Sequence, residues 1–230
     1  MNLLELEALR AYPGRGILLG AFPDGRALVA YFLMGRSANS RNRVLAPDGD
    51  RLRAQAFDPS KVEDPSLILY SPVRVLGRHT IVTNGDQTDT LYDFLARGEG
   101  FEAALATRAY EPDAPNWTPR ISGLLTASDG AFHYQLSILK RGAGCERFFF
   151  RYEAPKPGLC HLIHTYQPGA NLLKPFSGEP VALDVDLSPE KLARALWAAL
   201  DPVNRVALFV RAVDPVTFQF EDHIINALEA

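Results

Sequence analysis

The sequence has few cysteines, few lysines and no long apolar run. Its two cysteines, Cys145 and Cys160, form no C-x-x-C pair and cannot supply a four-cysteine metal site or a disulfide framework. Two cysteines without a disulfide framework are typical of a reduced compartment. No apolar run approaches the roughly 20 residues that a membrane helix needs, and acidic Glu5 and Glu7 stand where a secretory signal would be basic and then apolar. We therefore expect a soluble, cytoplasmic protein that does not bind a membrane.

The basic residues are unusual in kind rather than in number. Lysine and arginine total 24 against 27 acidic residues among 230, which gives a net charge of −3 and argues against a nucleic-acid partner. Only five of the 24 are lysines, and five of the 19 arginines lie close together, at Arg36, Arg41, Arg43, Arg51 and Arg53. Composition bias explains much of this excess. A phosphate or carboxylate site would also favour arginine, because the guanidinium is a planar bidentate donor.

Apolar segments of strand length fall into two runs. The first run comprises the predicted strands 16–22, 27–34, 53–57, 67–76 and 80–83. The second run comprises the predicted strands 120–126, 132–139, 147–152, 159–166, 181–185 and 205–213. The turns Pro23-Asp24-Gly25 and Gly77-Arg78 predict hairpins in the first run. The continuous apolar character of the first two strands indicates a sheet that is covered on both faces.

Helical patterns follow each run of strands. Four helices are predicted: within the first dozen residues, after Thr88 as N-cap, over 101–108, and after Ser188 as N-cap. The remaining segments are predicted to be irregular: 35–50, 110–119, 167–179 and a tail after 213. Strict strand–helix alternation is absent, so the pattern predicts an α+β fold with mixed or antiparallel sheets and outer helices. No composition shift marks a boundary, and we expect one domain over residues 1–230.

Several common chemical signatures are missing from the sequence. It contains no G-x-G-x-x-G, P-loop or G-x-S-x-G motif, which argues against dinucleotide, P-loop and hydrolase-elbow sites. His161 and His164 lie three apart on a predicted strand, a spacing that points them to opposite faces, so structural histidines are favoured over metal ligands. Residue 2 is asparagine, and removal of Met1 would expose no Ser, Thr or Cys nucleophile.

Three polar segments next to strand ends remain as candidate sites, because rigid strands position loop side chains. Residues 35–43 carry three arginines, two asparagines and two serines without an acidic residue, which favours binding of an anion or a polar heterocycle over a merely solvated turn. Residues 83–89 form either a simple turn or a carbonyl and anion site before a helix. Residues 110–121 form a proline-stiffened loop in which Glu111 is the best candidate for proton transfer.

Together these segments resemble a known family. The matching phrases are Gly35-Arg36-Ser37, Arg41-Asn42-Arg43, Thr83-Asn84-Gly85, Thr88-Asp89, and Asn116 followed by Thr118-Pro119-Arg120-Ile121-Ser122-Gly123. In this order they resemble the inosine monophosphate (IMP) cyclohydrolase family first known from archaea. Flanking phrases resemble the bacterial branch of that family: Ala56-Phe57-Asp58-Pro59-Ser60, Asp64-Pro65-Ser66-Leu67-Ile68 and His164-Thr165-Tyr166. The resemblance covers residues 12 to about 213.

The resemblance implies a fold and a reaction. The fold is a four-layer αββα sandwich similar to N-terminal-nucleophile hydrolases, without the self-processing nucleophile. The reaction is the last step of purine synthesis, in which 5-formamidoimidazole-4-carboxamide ribotide (FAICAR) closes to IMP and water. The partner is thus a small-molecule nucleotide. Neither a cofactor nor a metal is required, because the reaction has no redox step and uses no high-energy phosphate.

The resemblance also suggests roles for individual residues. The catalytic candidates are Arg36, Tyr70 and Glu111, and the substrate-binding candidates are Asn42, Arg43, Asn84, Asn116 and Arg120. Arg36 and Arg43 would bind the phosphate or the polarised formyl oxygen. Tyr70 would donate or accept a proton with Glu111 as its partner. Asn84 and Asn116 would orient the carboxamide and formyl groups.

Two other functions stay open at this stage. A purine-nucleotide binding or sensing protein would keep the same cavity without turnover. An amide hydrolase would use the same sandwich to release formate. The sequence leaves the oligomeric state open, including a homo-oligomer.

Overall fold

The computed structural model describes residues 9–62, 69–167 and 173–229, and these form two antiparallel sheets with a few helices. The predicted α+β class is confirmed. Every strand pairing within each sheet is antiparallel, so the mixed alternative does not apply. Most of the helix predicted for the first dozen residues lies outside the described residues, and its described end at residues 9–10 is helical.

The first sheet has six strands in the order β11-β10-β1-β2-β12-β13. Their bounds are β1 Arg15–Ala21, β2 Ala27–Met34, β10 Leu159–His164, β11 Val181–Asp184, β12 Arg205–Val213 and β13 Phe220–Asn226. All eight residues of β2 are buried, as its continuous apolar sequence predicts for a central strand covered on both faces.

The second sheet has seven strands in simple sequential order. Their bounds are β3 Arg43–Asp48, β4 Arg51–Ala56, β5 Tyr70–Leu76, β6 His79–Thr83, β7 Arg120–Ser128, β8 Ala131–Arg141 and β9 Cys145–Tyr152. The predicted Gly77-Arg78 turn joins β5 to β6, and Gly77 has φ +55. Tight hairpin turns need this left-handed conformation, which glycine adopts without strain.

Three apolar cores hold these elements together. The first combines inward residues of both sheets, such as Tyr31 and Ile121. The helices span α1 Ala38–Arg41, α2 Gln87–Ala96, α3 Phe101–Ala106 and α4 Pro189–Ala199. The second core packs the opposite face of the six-stranded sheet against helix α4, and the third packs the seven-stranded sheet against helices α2 and α3. Ser188 is the N-cap of α4, as predicted.

Three local predictions are wrong. The segment 35–50 is not a single loop, because it contains α1 and all of β3, whose first three residues are buried against β4. The tail after 213 contains β13, which pairs with β12 over seven residues. Both strands are amphipathic or polar in part, so no continuous apolar run marked them. Thr88 lies inside the first turn of α2 and the N-cap is Asp86, because the Thr88 hydroxyl donates back to the Gly85 carbonyl.

The two histidines predicted to be structural are hydrogen-bonded within the fold. His161 Nδ1 lies 2.6 Å from the Tyr134 hydroxyl, and His164 Nδ1 lies 2.8 Å from the Tyr166 carbonyl oxygen. Across the described ranges, no group of three or more His, Cys, Asp or Glu side chains could hold a metal ion. Among the helices of those same ranges, none has the length and apolar character needed to span a bilayer.

Candidate functional site

A cavity of about 320 Å³ opens where the ends of β1 and β2 meet α1 and the loop before β7. Three arginines, two carboxylates and two tyrosines line it: Arg15, Arg36, Arg43, Glu111, Asp113, Tyr12 and Tyr166. Asn39, Asn116, Thr118 and the serines of α1 complete its polar wall. Charged groups of both signs thus face one open cavity.

Arg43 is the most deeply buried cation of this cavity. It begins β3, and only 2% of the residue is exposed. Its Nε donates to the Ser40 carbonyl oxygen at 2.8 Å, while its buried Nη1 has no partner among the described residues. Burial lowers the pKa of Arg43, but a guanidinium remains charged at neutral pH. A buried cation with an unused donor is therefore available to an anion or a carbonyl oxygen.

Arg15 lies beside Arg43 at the start of β1. Its Nη2 is 3.6 Å from Glu111 Oε2, and its buried Nε has no partner in the described part of the chain. Burial acts to lower the pKa of Arg15, but the nearby Glu111 charge leaves that pKa raised overall. Glu111 therefore offsets part of the charge of the two guanidinium groups, and the unused Nε of Arg15 and Nη1 of Arg43 stay available to a ligand.

Glu111 is the buried carboxylate of the site. It is 3% exposed, and its backbone N–H donates to the Thr118 carbonyl oxygen at 2.9 Å. Burial raises the pKa of Glu111, although Arg15 and Arg120 act to lower that pKa. A carboxyl group with a raised pKa exchanges its proton more readily near neutral pH. Its environment therefore suits a general acid or base.

The proline-stiffened loop is held by one threonine. The Thr118 hydroxyl donates to Asp113 Oδ2 at 2.5 Å, and the Thr118 N–H donates to Asp113 Oδ1 at 2.7 Å. The Tyr166 hydroxyl lies 2.7 Å from the Thr118 hydroxyl, and burial raises the pKa of Tyr166 to about 12. This chain of hydrogen bonds fixes Asp113 and Tyr166 in the cavity wall.

Arg36 lies at the exposed mouth of the cavity. Its guanidinium carbon is 4.9 Å from the centre of the Tyr12 ring, and Tyr12 stacks on Tyr166 with ring centres 6.3 Å apart. A cation over an aromatic face gains a modest stabilisation in water. Arg36 thus stays accessible to a charged group that enters the cavity.

Tyr70 lies behind the two buried arginines rather than in the cavity wall. Its hydroxyl is 2.7 Å from the Tyr31 hydroxyl, and both hydroxyls interact electrostatically with Arg15 and Arg43. The Tyr70 side chain also lines a neighbouring cavity of about 280 Å³. Tyr70 therefore acts on the site through the electrostatic interaction of its hydroxyl with these two arginines.

Four of the eight predicted site residues line the main cavity, and three of the others are braced by protein groups. Those in the wall are Arg36, Arg43, Glu111 and Asn116. Asn42 exchanges two 2.8 Å hydrogen bonds with the backbone of Asp58. Asn84 Nδ2 donates to the Pro119 carbonyl oxygen at 2.8 Å, and its Oδ1 accepts from the Ile121 N–H at 2.9 Å. Arg120 Nη1 contacts Asp86 Oδ1 and Gln87 Oε1, each at 2.6 Å.

The turn before α2 has a glycine at position 85, where the side chains of Arg120 and Gln87 come close to the backbone. A Cβ at this position would lie 2.7 Å from Arg120 Nη1 and 2.8 Å from Gln87 Oε1. A side chain at this position would displace the ends of the Arg120 and Gln87 side chains, so glycine leaves the room in which Arg120 contacts Gln87. The Asn-Gly turn therefore orders the wall behind Glu111.

Sequence reasoning missed Arg15, Tyr12 and Tyr166 as cavity residues. Tyr12-Pro13-Gly14-Arg15 marks the entry to β1, but a single arginine after a turn carries no distinctive pattern. Tyr166 lies in a phrase that was noted for its family resemblance and not for its chemistry. Asp113 and Thr118 belong to the loop that the sequence did single out.

Comparison with known proteins identifies the family. The family model described as IMP cyclohydrolase-like protein matches residues 12–217. A protein of Methanopyrus kandleri named IMP cyclohydrolase is 33% identical over 159 residues, which cover 67% of this chain and 75% of that protein. Proteins with the same name from Methanococcus maripaludis and Methanococcus aeolicus are each 28% identical. The two matches cover 63% and 68% of this chain, and 76% and 74% of those proteins. The chain belongs to the IMP cyclohydrolase-like family.

Proposed function

We propose that this protein is an IMP cyclohydrolase that closes FAICAR to IMP with release of water. The observation that carries the proposal is the cavity itself. Three arginines, Arg15, Arg36 and Arg43, line it together with two carboxylates, Glu111 and Asp113. Arg15 Nε and Arg43 Nη1 are buried donors without a partner among the described residues. This charge balance favours an anionic ligand with a polar reacting centre, as a nucleotide monophosphate with two amide-type arms would be.

The reaction makes three demands on a protein. The carboxamide nitrogen attacks the formyl carbon, so a C–N bond forms, the nitrogen loses a proton and the formyl oxygen gains one. The C–O bond then breaks, the protonated hydroxyl leaves as water, and the formamide nitrogen loses its proton as the C=N bond forms. The protein must hold the two arms in contact, polarise the formyl oxygen and transfer protons.

The arginines meet the demand for charge. Arg36 at the exposed mouth would bind the phosphate, which keeps part of its hydration there. Arg15 and Arg43 lie deeper, where unused N–H donors in a desolvated site stabilise developing negative charge on an oxygen most strongly. We assign these two arginines to the formyl oxygen.

Proton transfer falls to Glu111 and Tyr70, and positioning to Asn116. Glu111 has the environment of a general acid or base, and Arg15 holds it near the reacting end. The Tyr70 hydroxyl next to Arg15 and Arg43 would supply the second proton-transfer group. Asn116 in the cavity wall would orient one amide arm. Asn42, Asn84 and Arg120, which the sequence assigned to the substrate, would support this wall from behind.

We also infer the layering and extent of the fold. The three cores order the layers as α4, the six-stranded sheet, the seven-stranded sheet, and α2 with α3. This order agrees with the αββα sandwich that the sequence resemblance implies. Residues 1–230 would form one such domain. Its substrate, a soluble nucleotide, is in keeping with a cytoplasmic location.

The test is to mix the purified protein with FAICAR and follow the ultraviolet spectrum. Formation of IMP at catalytic rates supports the proposal. Release of formate with the free amine would instead indicate an amide hydrolase. Tight binding of IMP without turnover would indicate a nucleotide sensor. Either of these two results would overturn the cyclohydrolase assignment.

A further inference from the structure

The hydroxyls of Tyr31 and Tyr70 form a pair between the two sheets. Tyr31 lies in the middle of β2 and is fully buried, whereas Tyr70 begins β5 and is half-buried. Their oxygens are 2.7 Å apart. Tyr31 therefore connects the centre of one sheet to the first residue of a strand in the other.

The direction of this hydrogen bond follows from burial. Among the described residues the Tyr31 hydroxyl has no other hydrogen-bonding partner. A buried donor that lacks an acceptor costs more than an acceptor with an unused lone pair, so the Tyr31 proton points at the Tyr70 oxygen. Burial also raises the pKa of Tyr31 well above its usual range, which keeps that proton in place.

The consequence concerns Tyr70. Its oxygen already accepts the Tyr31 proton, so its own O–H must be directed elsewhere. The guanidiniums of Arg15 and Arg43, which interact with it electrostatically, are donors only. Within the described part of the chain, the contact with Tyr31 is the one hydrogen bond that the Tyr70 hydroxyl makes, so its proton is left available to a ligand.

We propose that Tyr31 is a positioning residue, which directs the Tyr70 hydroxyl so that its proton is delivered to the bound substrate. This inference rests on the proposed cyclisation reaction and assigns to it a residue outside the cavity wall. Tyr31 touches no substrate, and its effect on turnover passes entirely through Tyr70.

A double-mutant cycle tests the proposal. Tyr31→Phe keeps the ring in the core and removes only the hydroxyl. We expect kcat to fall about tenfold, with KM unchanged within about twofold, since one directed hydrogen bond is lost. Tyr70→Phe should lower kcat by about 100-fold or more, because proton transfer itself is lost. The double variant should turn over as slowly as Tyr70→Phe alone.

Tyr134→Phe is the matched control. Tyr134 belongs to the same core, is 1% exposed and also makes a single hydroxyl contact, to His161 Nδ1 at 2.6 Å. It lies outside the lining of the main cavity, and we expect its kcat to stay within about twofold of the wild type. Thermal unfolding of all variants shows whether loss of the core hydroxyl lowers the melting temperature by a similar amount in Tyr31→Phe and Tyr134→Phe.

Two results would overturn the proposal. One is that Tyr31→Phe lowers kcat by the same factor in the wild type and in the Tyr70→Phe variant. Such additivity would indicate a structural effect that is independent of Tyr70. The other is wild-type kcat in Tyr31→Phe. If the wild-type protein does not convert FAICAR, the proposed function fails on its own. The hydroxyl geometry is then read from the Tyr70 ¹³Cζ resonance, which must shift in Tyr31→Phe and not in Tyr134→Phe for the pairing to stand.

Discussion

Two sets of polar side chains at or near the candidate site differ in whether other protein groups complete their hydrogen bonds. The amide side chains of Asn42, Asn84 and Gln87, here called the anchored amides, are bonded through both ends to protein groups. The buried arginines Arg15 and Arg43 keep N–H groups without any partner in the described ranges.

The difference has a physical origin. An amide has one acceptor oxygen and two donor hydrogens, which strand ends and turns can satisfy completely. A guanidinium has five donors in a fixed fork, and a tightly packed site next to one carboxylate cannot supply acceptors for all of them. The anchored amides therefore hold the walls in shape, while the arginines retain capacity for a ligand.

The largest expected effect is the loss of turnover when Glu111, the buried carboxyl group of the cavity, is replaced. Glu111→Gln keeps the shape and removes the exchangeable proton, so we expect kcat to fall about 10²- to 10⁴-fold. The fold should persist, because Gln can still accept and donate hydrogen bonds. The measurement is the rate of IMP formation followed by ultraviolet absorbance. Glu102→Gln, which loses an exposed ion pair with Arg151, is the control and should turn over normally; a normal rate in Glu111→Gln would remove Glu111 from the mechanism.

Removal of a buried guanidinium should weaken stabilisation of the formyl oxygen. Arg43→Met keeps a long side chain and removes the unused donors, and we expect kcat/KM for FAICAR to fall about 10- to 100-fold, the value of a charge-assisted hydrogen bond. Initial rates of IMP formation over a range of FAICAR concentrations measure the change. Arg41→Met offers a control within the same short segment, since the Arg41 guanidinium is exposed and lies 3.5 Å from the Val203 carbonyl oxygen. Equal losses in both variants would show that general charge, not the cavity donor, attracts the nucleotide.

An anchored amide should instead affect stability. Asn84→Ala leaves the Pro119 carbonyl oxygen and the Ile121 N–H without their side-chain partner. We expect the free energy of unfolding to fall by about 2–3 kcal/mol, as for other buried polar groups that lose their partners. Turnover per folded molecule should change less than about fivefold. Urea unfolding together with active-site titration measures both quantities. A fully stable Asn84→Ala protein without activity would return Asn84 to the substrate-binding role that the sequence suggests.

Much of the fold could be predicted from the sequence, because continuous apolar runs mark strands that lie between two covered faces. Strand β2 and strand β12 match their predicted bounds. Strands β3 and β13 could not be found in this way. Each lies at the edge of its sheet and exposes polar residues, so its pairing depends on a neighbour that sequence periodicity does not show.

The candidate site could be predicted as a set of loops but not as a geometry. The loop that the sequence singled out for Glu111 lines the cavity, and Glu111 itself is buried there. Whether a side chain points into the cavity or back to the backbone depends on turn geometry, as the anchored Asn42 next to the buried Arg43 shows. Arg15 lacks any local pattern and becomes a cavity residue only when β1 is placed beside the loop of Glu111.

The smallest expected effect concerns His164, which like the anchored amides receives its partner from the protein. Its Nδ1 donates to the Tyr166 carbonyl oxygen at 2.8 Å, and burial lowers the pKa of His164 to about 4. The unfolded histidine has a pKa of about 6.5, so the unfolded chain binds more protons between these values and the free energy of unfolding falls as the pH is lowered. We expect His164 to account for about 1.5 kcal/mol of that fall between pH 6.5 and 5.

His164→Asn keeps a donor near the Nδ1 position and removes the titration. Urea unfolding at pH 6.5 and 5 should therefore show a smaller loss of stability in this variant than in the wild type, while His223→Gln, made at a partly exposed histidine beside Glu221, should keep the wild-type difference. If His164→Asn loses as much stability on acidification as the wild type does, the imidazole is not held neutral by burial. Tyr166 would then be fixed in the cavity wall chiefly by Thr118. His164 would no longer count among the groups whose hydrogen bonds the protein satisfies.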